Sequence, residues 1–186
     1  MAYVIDKEHP HLGGNINGGD KGTFYPALWE WLVERYSIKT VLDVGCAEGH
    51  AMEQFSKLGC FVLGIDGLSQ NIAKCKQFTK VHDLTKSPFL CEKVDLVWCC
   101  EVVEHIEEKF VDNVIKTLSN GKYIAMTCAL PKQRGYHHVN CQPCSYWVNL
   151  LGKDYLFLEN DSRLSREKFK DCLYWSRSGM IFKSIN

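Results

Sequence analysis

The apolar positions of this chain fall into short blocks of two kinds, and the two kinds alternate. Continuous β-branched and apolar runs over Thr40–Val44, Phe61–Ile65 and Val94–Cys100 read as strands buried on both faces, as in a parallel sheet. Lys80–His82 and Tyr123–Thr127 read as two more strands, and Tyr155–Leu158 and Met180–Lys183 as two closing ones. Between them lie stretches with apolar residues at helical spacing. Tyr25–Tyr36 is rich in Trp and Leu, and a second helix follows Gly49 and runs to Leu58, with Gly59 as its C-cap. Ser69–Gln77 reads as a third. Lys109–Leu118 is a fourth, with Phe110, Val111, Val114, Ile115 and Leu118 on one stripe until Asn120-Gly121 ends it. Strands alternating with helices at this spacing predict an α/β domain whose parallel sheet carries helices on both faces.

The junction between the first strand and its helix carries the first chemistry. Val41, Leu42 and Val44 lead into Gly45-Cys46-Ala47-Glu48-Gly49, and Asp66 ends the next apolar run. Glycines let the backbone approach a ligand, and a carboxylate after the second strand holds ribose hydroxyls, so the pair predicts a nucleoside-containing cofactor. A dinucleotide fits poorly. G-x-G-x-x-G begun at Gly45 needs small residues at 47 and 50, yet position 50 is His50, and Glu48 adds negative charge where a pyrophosphate would lie. No Gly-Lys-Ser/Thr follows the turn, which removes a P-loop.

The run Asp43-Val44-Gly45-Cys46-Ala47-Glu48-Gly49 resembles the nucleoside-binding motif of the class I S-adenosylmethionine-dependent methyltransferases. It departs at Ala47, where that family usually has glycine; one methyl still permits close approach. The resemblance spans about Val41 to Thr127 and implies a Rossmann-like, doubly wound, mainly parallel seven-stranded sheet. It also implies that Asp43, Gly45, Cys46, Ala47 and Gly49 cradle the methionine and ribose portion of S-adenosylmethionine. Asp66, with Gly67 beside it, would take the ribose hydroxyls. Asp83 would accept from the adenine amino group, with His82 packed nearby and Cys100 bordering the same site. Asp83 in Asp-Leu-Thr reads equally as a helix N-cap.

A second cluster follows the fourth strand, in Cys100-Glu101-Val102-Val103-Glu104-His105-Ile106. The C-terminal ends of parallel strands line the ligand crevice, so this segment faces the reacting groups. Opening a helix, it would put Glu101, Glu104 and His105 on one face. Two carboxylates and an imidazole make a mixed oxygen and nitrogen site suited to Mg, Mn or Zn. Glu-x-x-Glu-His resembles the pattern in ubiquinone-pathway O-methyltransferases and small-RNA 2′-O-methyltransferases, where it binds a divalent cation. The latter add a histidine from after strand five, and His137 and His138 stand at that place here. The implied metal set is Glu101, Glu104, His105 and His138, with His137 as an alternative ligand or base. Many class I members carry Glu-Val-x-Glu-His without metal. Glu101, His105, His137 and His138 are therefore equally candidates for general acid–base work. Cys141-x-x-Cys144 does not read as a zinc site, because Pro143 interrupts it and no second cysteine pair stands at zinc-finger spacing.

Composition changes this picture little. At 186 residues the chain reads as one domain, 1–186: an N-terminal cap and helix over 1–39, a cofactor-binding core over 40–130, and an acceptor loop with closing strands over 131–186. The stretch from His9 to Asp20, with glycines at 13, 14, 18 and 19, reads either as a flexible leader or as a flap that excludes water. Lys+Arg and Asp+Glu balance at 22 each, so nothing draws the chain strongly to nucleic acid, and no run matches a membrane span or export signal. Ten cysteines without such a signal predict reduced thiols in the cytoplasm. The expected activity is S-adenosylmethionine-dependent methylation of a hydroxyl on a small-molecule or carbohydrate acceptor, assisted by Mg or another divalent cation. RNA 2′-O-methylation is the alternative among enzymes, and a non-catalytic cofactor-binding or interaction protein the alternative of another class. The sequence sets no oligomeric state.

Overall fold

A computed structural model describes residues 4–185. Seven strands form one sheet: β1 (Thr40–Val44), β2 (Phe61–Asp66), β3 (Phe78–Val81), β4 (Val94–Cys99), β5 (Gly121–Met126), β6 (Tyr155–Phe157) and β7 (Met180–Ser184). Their spatial order is β3-β2-β1-β4-β5-β7-β6. Pairing is parallel from β3 through β5, and only β7 runs against its two neighbours. The expected doubly wound α/β architecture is therefore present. Strand order reverses beside β1, which opens a crevice at the C-terminal ends of β1 and β4.

Alternation along each strand divides the core into two layers. Val41, Leu96, Trp98, Ala125 and Ile181 face one side, where they meet α1 (Pro26–Tyr36), α2 (His50–Lys57) and α7 (Trp175–Ser178). Leu42, Val44, Val97, Ile124 and Phe182 face the other, against α4 (Val111–Leu118) and α5 (Cys144–Leu151). The first layer is aromatic: Trp29 meets Phe24, Phe55 and Trp98, and Trp98 stacks on Trp175 with centroids 5.5 Å apart. Helix α6 (Glu159–Lys168) carries most of a run of basic residues between Arg163 and Lys170, and Arg163 and Lys168 point to solvent as a charged helix face does. Asp161 of this helix is bound by Arg35 and Tyr36 of α1.

Two element assignments change. The third helix, α3, covers only Ser69–Ile72 of the expected Ser69–Gln77. Asn71 is its sole buried residue, and the Cys75 amide already turns back to the Ile72 carbonyl, so there is too little apolar face to hold a longer helix. β3 starts earlier than Lys80–His82 because Phe78 and Thr79 join the ladder opposite Leu63 and Gly64. With little helix beside it, this sheet edge leaves Phe61 and Phe78 exposed, at 82% and 73%.

Trp29 is 1% exposed at the centre of the aromatic layer. Trp29→Ala is expected to lower the unfolding free energy by about 3–5 kcal/mol, read by chemical denaturation. A loss below about 1 kcal/mol would mean that this layer closes over the gap.

Candidate active site

The turn after β1 is built on left-handed backbone. Gly45, Ala47 and Gly49 have φ of 72°, 45° and 82°, and Gly49 is the N-cap of α2. Gly45 is required twice over, since a side chain there would also meet Val102. The Gly45 and Cys46 amides donate to the Ile65 carbonyl at 2.8 and 3.0 Å, which draws the turn onto the end of β2. Asp66 then ties the turn down. Its carboxylate accepts from the Ala47 amide at 3.0 Å, the Leu68 amide at 2.9 Å and the Asn71 side chain at 3.0 Å. Burial nonetheless raises its pKa above the ordinary value, against the pull of those donors.

A cavity of about 570 Å³ opens above this turn. Gly45, Ala47, Asp66, Gly67, His82, Cys100, Glu101, His105 and His138 all line it. A smaller cavity of about 230 Å³ lies behind, lined by Asp43, Cys46 and Trp98 among others. The segment from His11 to Thr23 forms the opposite wall. It is held there by the site's own polar residues: Asn15 bonds Asn71, the Gly18 amide donates to Glu48 at 2.9 Å, and His11 lies 3.2 Å from Asp83. Leu12 packs against the backbone of Gly67, where a side chain would have to displace it.

Asp83 is turned partly aside. Its Oδ1 accepts from the Thr85 amide and hydroxyl and faces His11, while His82 and Leu84 line the cavity in its place. Burial works to raise its pKa, but those hydrogen bonds hold it below the ordinary value. His82 packs edge-on against Phe89, with Nε2 2.9 Å from the Ser87 carbonyl.

The segment after β4 departs from the expected helix. Glu101 has φ 57°, and a single 3-10 turn begins only at Val103. Glu101, Glu104 and His105 therefore do not share a helix face. The Thr127 hydroxyl accepts from the Glu101 amide and donates to its Oε1, both at 2.9 Å, which holds that carboxyl at the cavity wall. Glu104, His105 and His138 do come together, with ligand atoms all within 4.8 Å of one another. Glu101 is outside that group, so the four-residue metal set expected from the sequence is reduced to three. His137 is separated as well. Its φ is 46°, its ring tilts against Tyr136, and it does not line the cavity.

Burial sets the protonation of this cluster. Glu104 is fully buried, neither carboxyl oxygen has a hydrogen-bond partner, and burial followed by Glu101 pushes its pKa well above the ordinary value. Burial also raises Glu101. His105 is pushed down to about 4 by burial, then by His138 and His137, and its Nδ1 is buried and unpartnered. It is a neutral imidazole near pH 7 with a free ring nitrogen. The Nδ1 of His138 faces the Gln133 carbonyl at 3.2 Å; a carbonyl only accepts, so this nitrogen carries a proton and, in the neutral tautomer, Nε2 has the lone pair. Gly135 makes room for that ring, since a Cβ there would overlap it.

Sequence reasoning passed over Asn71, Asn15 and Thr127. Thr127 was within reach, because it ends the fifth apolar run and strand ends line the crevice. The two asparagines gave no signal, since only the folded loops bring them to Asp66.

Asp43 supplies a pH test. Burial, then the nearby Cys75 and Asp66, push its pKa from 3.8 up to about 8. The folded state thus keeps a proton that the unfolded chain releases, so this group makes stability fall as pH rises from about 4 to about 8. Asp43→Asn removes that dependence. Its unfolding free energy is expected to decline less than that of the unmodified chain between about pH 5 and about pH 8, by on the order of a few kcal/mol. Parallel declines in denaturation curves would assign the effect to other groups.

Comparison with known proteins agrees with this geometry. A family model described as a methyltransferase domain matches residues 42–126. A ubiquinone biosynthesis O-methyltransferase of Nitrobacter winogradskyi is 31% identical over 99 residues, covering 46% of this chain and 36% of that one. The corresponding protein of Marinobacter nauticus is 26% identical over 149 residues, covering 70% and 58%. The chain thus spans less than two thirds of the length of these relatives. Among solved structures, TehB from Haemophilus influenzae superposes with a TM-score of 0.61 at 16% identity, over 84% of this chain and 61% of that one. Magnesium protoporphyrin IX methyltransferase from Synechocystis, solved with bound S-adenosylmethionine, gives 0.59 at 19%, over 85% and 76%. Matched domain, relatives and fold together support a class I S-adenosylmethionine-dependent methyltransferase.

Proposed function

We propose that the chain transfers a methyl group from S-adenosylmethionine to a hydroxyl of a small-molecule acceptor, assisted by a divalent cation. The observation that carries the reading is the cluster of Glu104, His105 and His138: the two histidines line the cavity that also holds the glycine turn and Asp66, and the buried Glu104 lies within reach of both. The residues fit the cofactor. The left-handed turn puts Gly45 and Ala47 on the cavity wall, and Asp66 Oδ2 has a single protein donor, which leaves a lone pair for a ribose hydroxyl. They fit a cation too, because Glu104 brings two partnerless oxygens and His105 a partnerless nitrogen to one point.

The cation supplies positive charge that favours ionisation of the acceptor hydroxyl. The chain's residues do the rest. His138, with its lone pair on Nε2, can take the acceptor proton or serve as a ligand, while Glu101, pinned by Thr127, orients the acceptor from the other side. The His11–Thr23 wall keeps water from the reacting groups, since methyl transfer depends on a dry, in-line approach. We place Asp43, Cys46, Gly49, Gly67, His82, Asp83 and Cys100 in the cofactor's surroundings. The whole chain serves as one such domain in the cytoplasm, where free thiols persist. No described helix is long and apolar enough to cross a membrane.

RNA 2′-O-methylation is a second reading, favoured by His138 joining Glu104 and His105 from the loop after β5. A formal net charge of zero weighs against it, because phosphate contacts call for a basic surface.

Calorimetric titration of S-adenosylhomocysteine, with EDTA and with added Mg or Mn, tests the reading. Micromolar binding is expected; no binding in either condition would overturn it. Asp66→Asn is expected to weaken that binding by about 1–3 kcal/mol. Glu104→Gln should abolish cation-stimulated turnover of hydroxyl acceptors and leave cofactor affinity within about twofold, the range of ordinary surface changes. Loss of both would give Glu104 a folding role instead.

A further inference from the structure

All ten cysteines are free thiols, and two of them meet beneath the cofactor turn. Cys46 lies inside the turn; Cys75 lies just beyond α3, far away in sequence. The Cys75 thiol donates to the Ala47 carbonyl at 3.4 Å and the Cys46 sulfur lies 4.0 Å from the same oxygen, so one carbonyl gathers both thiols. Cys75 also packs against the backbone of Gly49, so the two sulfurs bracket the turn from below.

We propose that Cys46 and Cys75 form a reversible disulfide under hydroperoxide, and that this modification loosens the cofactor site. The two sulfurs are not equivalent. Cys46 is 5% exposed and its pKa is raised, whereas Cys75 is partly exposed, open to peroxide, and its pKa is lowered beside Cys46. Cys75 is therefore the attacking thiolate. Its sulfur takes the outer oxygen of hydrogen peroxide as the O–O bond breaks, giving a sulfenic acid and water. The Cys46 sulfur then displaces the sulfenic hydroxyl, which leaves as a second water with the thiol proton. Two thiols lose two hydrogens and one peroxide becomes two waters.

The consequence follows from the backbone at Ala47. Its φ of 45° is an unfavourable conformation for a residue with a side chain, held by Asp66 on the amide and by the Cys75 thiol on the carbonyl. A disulfide has no S–H to donate. The carbonyl loses its partner, the strained turn relaxes, and the Ala47 amide shifts from Asp66. The disulfide needs only the thiol geometry, whereas its effect on affinity rests on the cofactor reading above.

The test uses the full chain, reduced and then treated with stoichiometric hydrogen peroxide. Cleavage after lysine leaves Cys75 on the dipeptide Cys75-Lys76, so its link to the Cys46 peptide is unmistakable by mass. The expected result is that cross-link as the main one, an S-adenosylhomocysteine affinity at least fivefold weaker by calorimetry, and recovery with dithiothreitol. Cys75→Ser, which keeps a donor to Ala47, should bind like the reduced chain and resist the peroxide effect. Absence of the 46–75 link when other thiols have oxidised, a link without a change in affinity, or an equal loss in Cys75→Ser would each overturn the proposal. Failure of the reduced chain to bind S-adenosylhomocysteine would instead overturn the cofactor assignment and leave the cross-link to be judged by mass alone.

Discussion

One carboxylate organises the crevice. Asp66 ends β2, and its two oxygens collect the amide of the glycine turn, the amide that begins α3 and the side chain of Asn71. Asn71 exchanges hydrogen bonds with Asn15, so the same group also fixes the N-terminal wall. Three segments distant in sequence, around Asn15, Ala47 and Asp66–Asn71, meet through a single buried acid. The sheet makes this possible: parallel pairing of β1 with β2 places Val44 beside Ile65, so the residues that follow each strand leave it together.

The fold and the acids depend on each other in one direction only. The two apolar layers, led by Trp29, Phe55, Trp98 and Trp175 on one side, would pack without any acid in the crevice. The acids would not hold their positions without that packing. Glu104 is kept in place through its backbone, whose carbonyl accepts from the Val139 and Asn140 amides, while its side chain has no partner. Rigid scaffolding around unsatisfied polar groups is how a domain keeps such groups ready for a ligand.

What was legible in the sequence divides along that line. Strand positions, the glycine turn and Asp66 could be read because apolar runs and φ-permissive residues are local signals. The gathering of Glu104, His105 and His138 was legible in part, since their order along the chain is local but their approach is not. Glu101 was misplaced because the left-handed backbone at a non-glycine residue is imposed by Thr127, a partner 26 residues away. The shortness of α3 had a similar cause, because Asn71 serves Asp66 and leaves no apolar stripe to extend. Cys75 carried no signal of its own in the sequence, because only the fold sets it beneath Ala47.

The balance of charge in the crevice explains why this glycine turn suits one cofactor class. Asp43, Glu101 and Glu104 are all largely buried, and no lysine, arginine or histidine among the described residues pairs with any of them. Burial raises all three pKa values, so adding negative charge from a pyrophosphate would be opposed from several sides. A ligand carrying positive charge meets the opposite situation: each ionised carboxyl lowers its energy, and its charge in turn eases the ionisation of the acids. S-adenosylmethionine is cationic at sulfur and at its amino group. The acid-rich crevice is costly to the empty protein and favourable to the filled one, a coupling that makes cofactor binding and fold stability respond together to pH.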